Sequence, residues 1–260
     1  MRPGAALGAP AEPGADARNR AADLPTTPPP PPLSPSPPTA GAGAFHFRNF
    51  LTPEECDHLK ALAGGRLTAS NVVDNESGTP MPSTIRTSFG AFLSLGEDEV
   101  VERIEDRIAR VSFIPKENGE GMQILKYEDG QKYEPHWDYF HDSKNAAREK
   151  GGQRLATMLM YLSTPEFGGE TVFPNAHTKV EGDEWSDCAK KGNAVHPERG
   201  SALLFFSQDT DGKLDRNSLH GSCPVIRGTK WSATKWMVSG EGGEGRGANG
   251  WAPRLETRED

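Results

Sequence analysis

Tyr133-Glu134-Pro135-His136-Trp137-Asp138-Tyr139-Phe140 sets an imidazole and a carboxylate two residues apart. In an extended strand that spacing points both side chains to one face. An imidazole and a carboxylate on one face are two of the three ligands of a facial triad, which leaves three positions of a non-haem ferrous ion open. The third ligand has to be a histidine from a distant part of the chain, and His46, His58, His141, His177, His196 and His220 are candidates. By itself His-x-Asp is a weak signal.

His220 is the best candidate because of its neighbours: Leu219-His220-Gly221-Ser222-Cys223-Pro224-Val225, then Gly228-Thr229-Lys230-Trp231. A hairpin between them would return Lys230 along a neighbouring strand, close to the metal but one cosubstrate length away. A buried lysine needs an anionic partner. The distal carboxylate of 2-oxoglutarate would provide one while its 2-oxo acid end chelates iron.

Around this stretch lie short runs rich in β-branched and aromatic residues, at 123–127, 155–162, 170–173, 202–206, 219–226 and 231–238, separated by Gly and Pro. Upstream, Thr52-Pro53-Glu54-Glu55 has the marks of a helix start, with a threonine cap, proline in the first turn and early carboxylates. That helix should stop at Gly64-Gly65. Val100, Val101, Ile104, Ile108 and Val111 fall on one helical face within 97–111. Residues 71–88 are polar, broken by Gly78, Pro80 and Pro82, and read as a long functional loop. Helices followed by many short strands predict an α+β fold, a jelly roll buttressed by N-terminal helices.

Twelve of the 22 prolines fall within the first 43 residues, including Pro28 to Pro32. Such a segment has too little apolar side chain to offset its ordering entropy, so residues 1–43 read as a disordered arm of polyproline-II character. Within it, Ser34-Pro35-Ser36-Pro37-Pro38 reads as spacer in preference to a weak self-ligand. The Gly/Glu-rich residues 240–260 read as a second disordered tail, leaving 44–239 as the catalytic domain. A net charge of −8 without a basic cluster argues against nucleic acid. No apolar run reaches the length of a membrane span, and no secretory signal is visible, which at face value describes a soluble, cytoplasmic chain. The three cysteines, Cys56, Cys188 and Cys223, form no Cys-x-x-Cys pair that would point to zinc.

Together, His136-x-Asp138, His220 and Lys230 in Gly228-x-Lys230-Trp231-x-x-Thr234-Lys235-Trp236 resemble the signature of the prolyl 4-hydroxylase family, especially its plant and green-algal type. Gly130-Gln131-Lys132-Tyr133, Gly168-Gly169-Glu170-Thr171-x-Phe173-Pro174 and Gly200-Ser201-Ala202-Leu203-Leu204-Phe205-Phe206 extend the similarity over roughly 45–238. The resemblance implies a double-stranded β-helix core. It implies Fe(2+), 2-oxoglutarate as cosubstrate, O2 and L-ascorbate, with hydroxylation of peptidyl proline at C4 and release of succinate and CO2. His136, Asp138 and His220 would hold the metal, and Tyr127, Thr171 and Lys230 the 2-oxoglutarate carboxylate. Arg86, Ser88, Tyr133, Arg154 and Trp236 would line the groove for a proline-rich polypeptide, a cell-wall hydroxyproline-rich glycoprotein or a collagen-like chain. The resemblance also pairs Cys188 with Cys223 and points to the lumen of the endoplasmic reticulum or Golgi. The alternatives are the same chemistry on a lysyl residue or small molecule, and an inactive binder of proline-rich peptides. A zinc hydrolase fits poorly, since it would leave Lys230 without a task.

Overall fold

A computed structural model describes residues 43–73, 80–82, 85–209 and 211–240. The expected arm and tail therefore lie, apart from residues 43 and 240, outside the described residues. The chain opens with β1 (Ala44–Phe47), α1 (Pro53–Gly64), β2 (Thr68–Ala69), β3 (Asn71–Val73), β4 (Pro80–Pro82), β5 (Phe89–Leu93) and α2 (Glu99–Ser112). It continues through β6 (Met122–Tyr127), β7 (Tyr133–His136), β8 (Arg154–Tyr161), β9 (Phe167–Gly168), β10 (Thr171–Phe173) and β11 (Asn193–Val195). β12 (Ala202–Phe206), β13 (His220–Ser222), β14 (Val225–Arg227) and β15 (Lys230–Val238) complete it.

A seven-stranded sheet runs β1-β12-β8-β15-β6-β5-β2, and a four-stranded sheet runs β11-β10-β13-β7. Every pairing within them is antiparallel. The larger sheet is two-faced, as strand alternation requires. Ala156, Met158 and Met160 of β8 join Ala233 and Met237 of β15 in a core with Leu59 of α1 and with Val101, Ile104 and Ile108 of α2. Thr157 and Leu159 of β8 line the opposite side with Ser232, Thr234 and Trp236 of β15, facing β13 and β7. The site is therefore built between the two sheets, with the helices closing the outer face.

The helix ends follow their caps. Thr52 and Glu55 form a reciprocal capping box on α1, and Asp98 accepts from the amides of Val100 and Val101 at the start of α2. Two buried ion pairs tie the helices down. Arg107 of α2 forks onto both carboxylate oxygens of Glu55, each at 2.8 Å. Lys235 of β15 reaches Glu105 of α2 at 2.5 Å, with both side chains 2% exposed.

The 71–88 segment is not all loop, because β3 and β4 pair within it, while 74–79 and 83–84 lie outside the described residues. The 219–226 run is two strands in different sheets, β13 and β14. No hairpin joins His220 to Lys230. The chain leaves β13, pairs as β14 with β9, and re-enters as β15 in the opposite sheet. The disulfide expected between Cys188 and Cys223 is present, with Cα atoms 5.7 Å apart.

Removing the carboxylate in Glu105→Ala leaves the Lys235 ammonium buried and alone, which costs about 3–5 kcal/mol. Guanidinium unfolding should show that loss, against under about 1 kcal/mol for Lys116→Ala, whose side chain is 31% exposed.

Candidate metal and anion site

His136 ends β7 and lies directly opposite His220 of β13 in the strand register. Asp138 sits two residues beyond, just past the end of the strand and not within it. The two-residue spacing still brings its carboxylate to the same side. One ligand atom from each of His136, Asp138 and His220 lies within 4.8 Å of the others. His136 Nε2 is 3.6 Å from Asp138 Oδ1, and His220 Nε2 is 3.6 Å from Asp138 Oδ2. Gly221 allows β13 this close, since a Cβ there would stand 3.1 Å from the Tyr133 carbonyl oxygen.

The backbone settles the tautomers. His136 Nδ1 is 2.9 Å from the Glu134 carbonyl, and His220 Nδ1 is 2.9 Å from that of Ser218. A carbonyl only accepts, so each Nδ1 carries the proton and each Nε2 lone pair turns inward. Burial lowers the His220 pKa to about 4, which keeps its ring neutral near pH 7. Burial would raise the Asp138 carboxyl, but His220, His136 and Arg154 hold it well below the usual carboxylate range. Thr157 donates to Asp138 Oδ2 at 2.7 Å and fixes the carboxylate plane. Two imidazoles with their Nδ1–H groups tied to carbonyls and one carboxylate, all turned to one point, fit a divalent iron of the facial-triad type.

The deep end of the cleft holds Lys230, 1% exposed and opposite Tyr127 in the register. Its ammonium donates to the Gly169 carbonyl at 2.6 Å and to Ser222 Oγ at 2.8 Å. Gly169 presents that carbonyl from a φ of +72°, a conformation open to glycine. Both acceptors are neutral. Glu170, whose charge is felt at Lys230, commits both oxygens to Ser186. Burial accordingly pulls the Lys230 pKa down to about 7. A buried cation with only neutral acceptors among the described residues, at one end of the cleft, is fitted to an anionic group of a ligand.

The remaining expected residues are also near. Tyr127 is buried, with Ser88 and Ser222 beside its hydroxyl. Thr171 accepts from the Tyr161 hydroxyl at 2.8 Å. Tyr133 stacks on His136 with ring centroids 3.6 Å apart, and Arg86 lies 4.7 Å over the Tyr133 ring. Trp236 lines the cleft, and its buried indole N–H meets no acceptor among the described residues. Arg154 is more committed than the sequence implies. It forks onto Glu120 at 2.8 and 3.0 Å, donates to the Asp138 carbonyl and covers the Trp236 ring at 4.0 Å.

Thr157, Tyr161, Ser222 and Glu120 are further polar parts of the site that sequence reading missed. Period-two alternation along β8, which puts Thr157 and Tyr161 on the face of Leu159, is the signal that could have found the first two.

Residues 122–238 match the family model described as the 2OG-Fe(II) oxygenase superfamily. The chain is 54% identical over 202 residues to Probable prolyl 4-hydroxylase 3 of Arabidopsis thaliana, covering 76% of this chain and 70% of that one. To Probable prolyl 4-hydroxylase 7 of the same plant it is 55% identical over 196 residues, covering 74% of this chain and 61% of that relative, less than two thirds of its length. Among solved structures it is similar to a viral collagen prolyl hydroxylase from Paramecium Bursaria Chlorella virus-1, in its 2OG complex. That match has a TM-score of 0.55 at 28% identity, over 75% of this chain and 96% of the other.

Cobalt(II) absorption reports metal at such a site without turnover. Thr157→Val frees the Asp138 carboxylate and should weaken Co(II) binding by about 10–100-fold, with Thr157→Ser close to the parent. An unchanged Kd in the valine variant would remove Thr157 from this role.

Proposed function

The chain belongs to the prolyl 4-hydroxylases of the 2OG-Fe(II) oxygenase superfamily, and from that membership and its cleft we propose that it hydroxylates peptidyl proline at C4 in proline-rich polypeptides. The observation that carries this reading is one cleft with a His136–Asp138–His220 cluster on one wall and the buried ammonium of Lys230 at its closed end. His136, Asp138 and His220 are the ligands for Fe(2+). Lys230, Tyr127 and Thr171 receive the distal carboxylate of 2-oxoglutarate. Bound iron with 2-oxoglutarate and O2 supplies the oxidising power that exchanges a C4 hydrogen for hydroxyl, releasing succinate and CO2. L-ascorbate is included as the reductant that keeps the iron ferrous.

This chain's own groups bind and orient. The Nδ1–H bonds to Glu134 and Ser218 carbonyls hold both rings in the ligating tautomer. Leu125, Leu159 and Phe205 wall the cleft between metal and lysine with apolar surface that excludes water. At the open end, Trp236 offers an aromatic face to proline rings and its N–H can donate to a substrate carbonyl, while Tyr133, held between His136 and Arg86, lines the groove with its edge. Arg154, clamped by Glu120, keeps the Trp236 ring in place and holds the backbone of Asp138. Arg86 and Ser88 flank the same cleft from the 71–88 segment through Tyr133 and Tyr127. The Cys188–Cys223 bridge supports a lumenal address in the endoplasmic reticulum or Golgi, where disulfides persist. Among the described residues no helix is long and apolar enough to cross a membrane.

Incubation with Fe(2+), 2-oxoglutarate, ascorbate and short proline-rich peptides should add one oxygen, about 16 daltons, to proline. Amino-acid analysis should identify the product as 4-hydroxyproline. Mass gain on lysine, or succinate release with no peptide product, would redirect the substrate assignment.

Lys230→Ala removes charge-assisted contacts of about 2–4 kcal/mol, so the 2-oxoglutarate KM should rise by roughly one to three decades. The pH dependence has a definite sign. With its pKa lowered to about 7, Lys230 is cationic below that value and loses charge as pH rises through it. Binding the dianion requires the cation and draws a proton onto Lys230. The 2-oxoglutarate Kd should therefore rise by about tenfold per pH unit above 7, the cation fraction falling by that factor. A Kd flat between about pH 6 and 8.5 would contradict the anchor.

A further inference from the structure

We infer that the N-terminal arm, through Ser34-Pro35-Ser36-Pro37-Pro38, is a substrate of the chain's own cleft, hydroxylated in cis. The inference rests on the prolyl hydroxylation proposed above and names one substrate for that site. It also revises the spacer reading of the arm.

Strand register carries it. Ala44 pairs with Phe205, Phe205 with Thr157, and Thr157 with Trp236. These four residues form one row across β1, β12, β8 and β15. Three of them line the cleft, and the Phe205 ring lies 4.5 Å from that of His220. At about 4.8 Å per strand, the row places Ala44 about 15 Å from Trp236. The chain thus enters the fold beside the wall of the active cleft.

Direction matters as much as distance. Along β8 the residue numbers fall from Tyr161 towards Arg154, whose side chain is 16% exposed at the open end, while Lys230 at the other end of β15 is buried. Phe206 pairs with Ala156, one step nearer Arg154 than the Phe205–Thr157 pair. Since β1 runs antiparallel to β12, its N-terminal end points towards that same open end. The start of β1 is therefore aimed at the mouth and away from the lysine.

Length and composition then suffice. Pro38 precedes Ala44 by six residues, a span of up to about 20 Å, and Pro35 by nine, up to about 30 Å. Either exceeds the width of the row, so the run can reach the mouth with β1 still paired. A run of prolines carries few backbone donors and needs aromatic surface, which the Trp236 face and the Tyr133 edge present in the cleft. In the reaction, one atom of O2 is inserted into the proline C4–H bond and the other enters succinate as CO2 leaves. Oxidation of proline and of 2-oxoglutarate, two electrons each, together balances the four-electron reduction of O2.

The test uses the full-length protein with Fe(2+), 2-oxoglutarate, ascorbate and no added peptide. Mass spectrometry then follows the tryptic peptide Ala21–Arg48. The expected result is gain in steps of about 16 daltons, located at Pro35, Pro37 or Pro38 by fragmentation and absent in Asp138→Ala. The fraction modified at a given time should not change across a hundredfold range of protein concentration. A rate that scales with concentration would overturn the cis assignment. A free proline-rich peptide is assayed in parallel. Its hydroxylation with an unmodified arm overturns this inference and leaves the proposed function standing, whereas failure of both strikes the function itself.

Discussion

The antiparallel pairing of β7 with β13 is the constraint on which the rest depends. It places His136 opposite His220, and the short step past the end of β7 brings Asp138 to both. Everything else in the fold holds that pair of strands against the larger sheet. The inner faces of β8 and β15 supply Thr157 to the carboxylate and Lys230 to the far end. Their outer faces anchor the helices through Met158, Met160 and Ala233.

The distribution of charge is a consequence of that two-sided sheet. β15 buries two lysines on opposite faces, Lys230 towards the cleft and Lys235 towards α2. Lys235 has a carboxylate at 2.5 Å, so its charge is satisfied within the fold. Among the described residues Lys230 donates only to a carbonyl and a hydroxyl, both neutral, and burial lowers its pKa to about 7. The first arrangement is structural. The second holds a charge in readiness for a ligand, at the cost of a cation kept poorly compensated in a dry wall.

Much of this was legible in the chain. The cap at Thr52 and the spacing of Val101, Ile104 and Ile108 are local signals, and α1 and α2 follow them closely. His136, Asp138, His220 and Lys230 were legible as residue types at revealing spacings. What could not be read was pairing between distant segments. The separation of His220 and Lys230 looks like a hairpin, yet β14 pairs with β9 and carries the chain across to the other sheet. Glu120 clamping Arg154 spans 34 positions and has no local trace. The Gly169 carbonyl that receives Lys230 is backbone, which residue identity does not reveal.

Gly221 carries no side chain and ligates nothing, yet it stands between His220 and Ser222, the one aimed at the metal cluster and the other at Lys230. With the Tyr133 carbonyl 3.1 Å from where its Cβ would be, even a methyl group at this position would wedge β13 away from β7. Such a wedge acts on the bite between the two imidazoles and on the reach from metal to lysine together. One dimension of the cleft is thus gauged by a missing atom, at a residue that touches neither metal ligand nor cosubstrate anchor through a side chain.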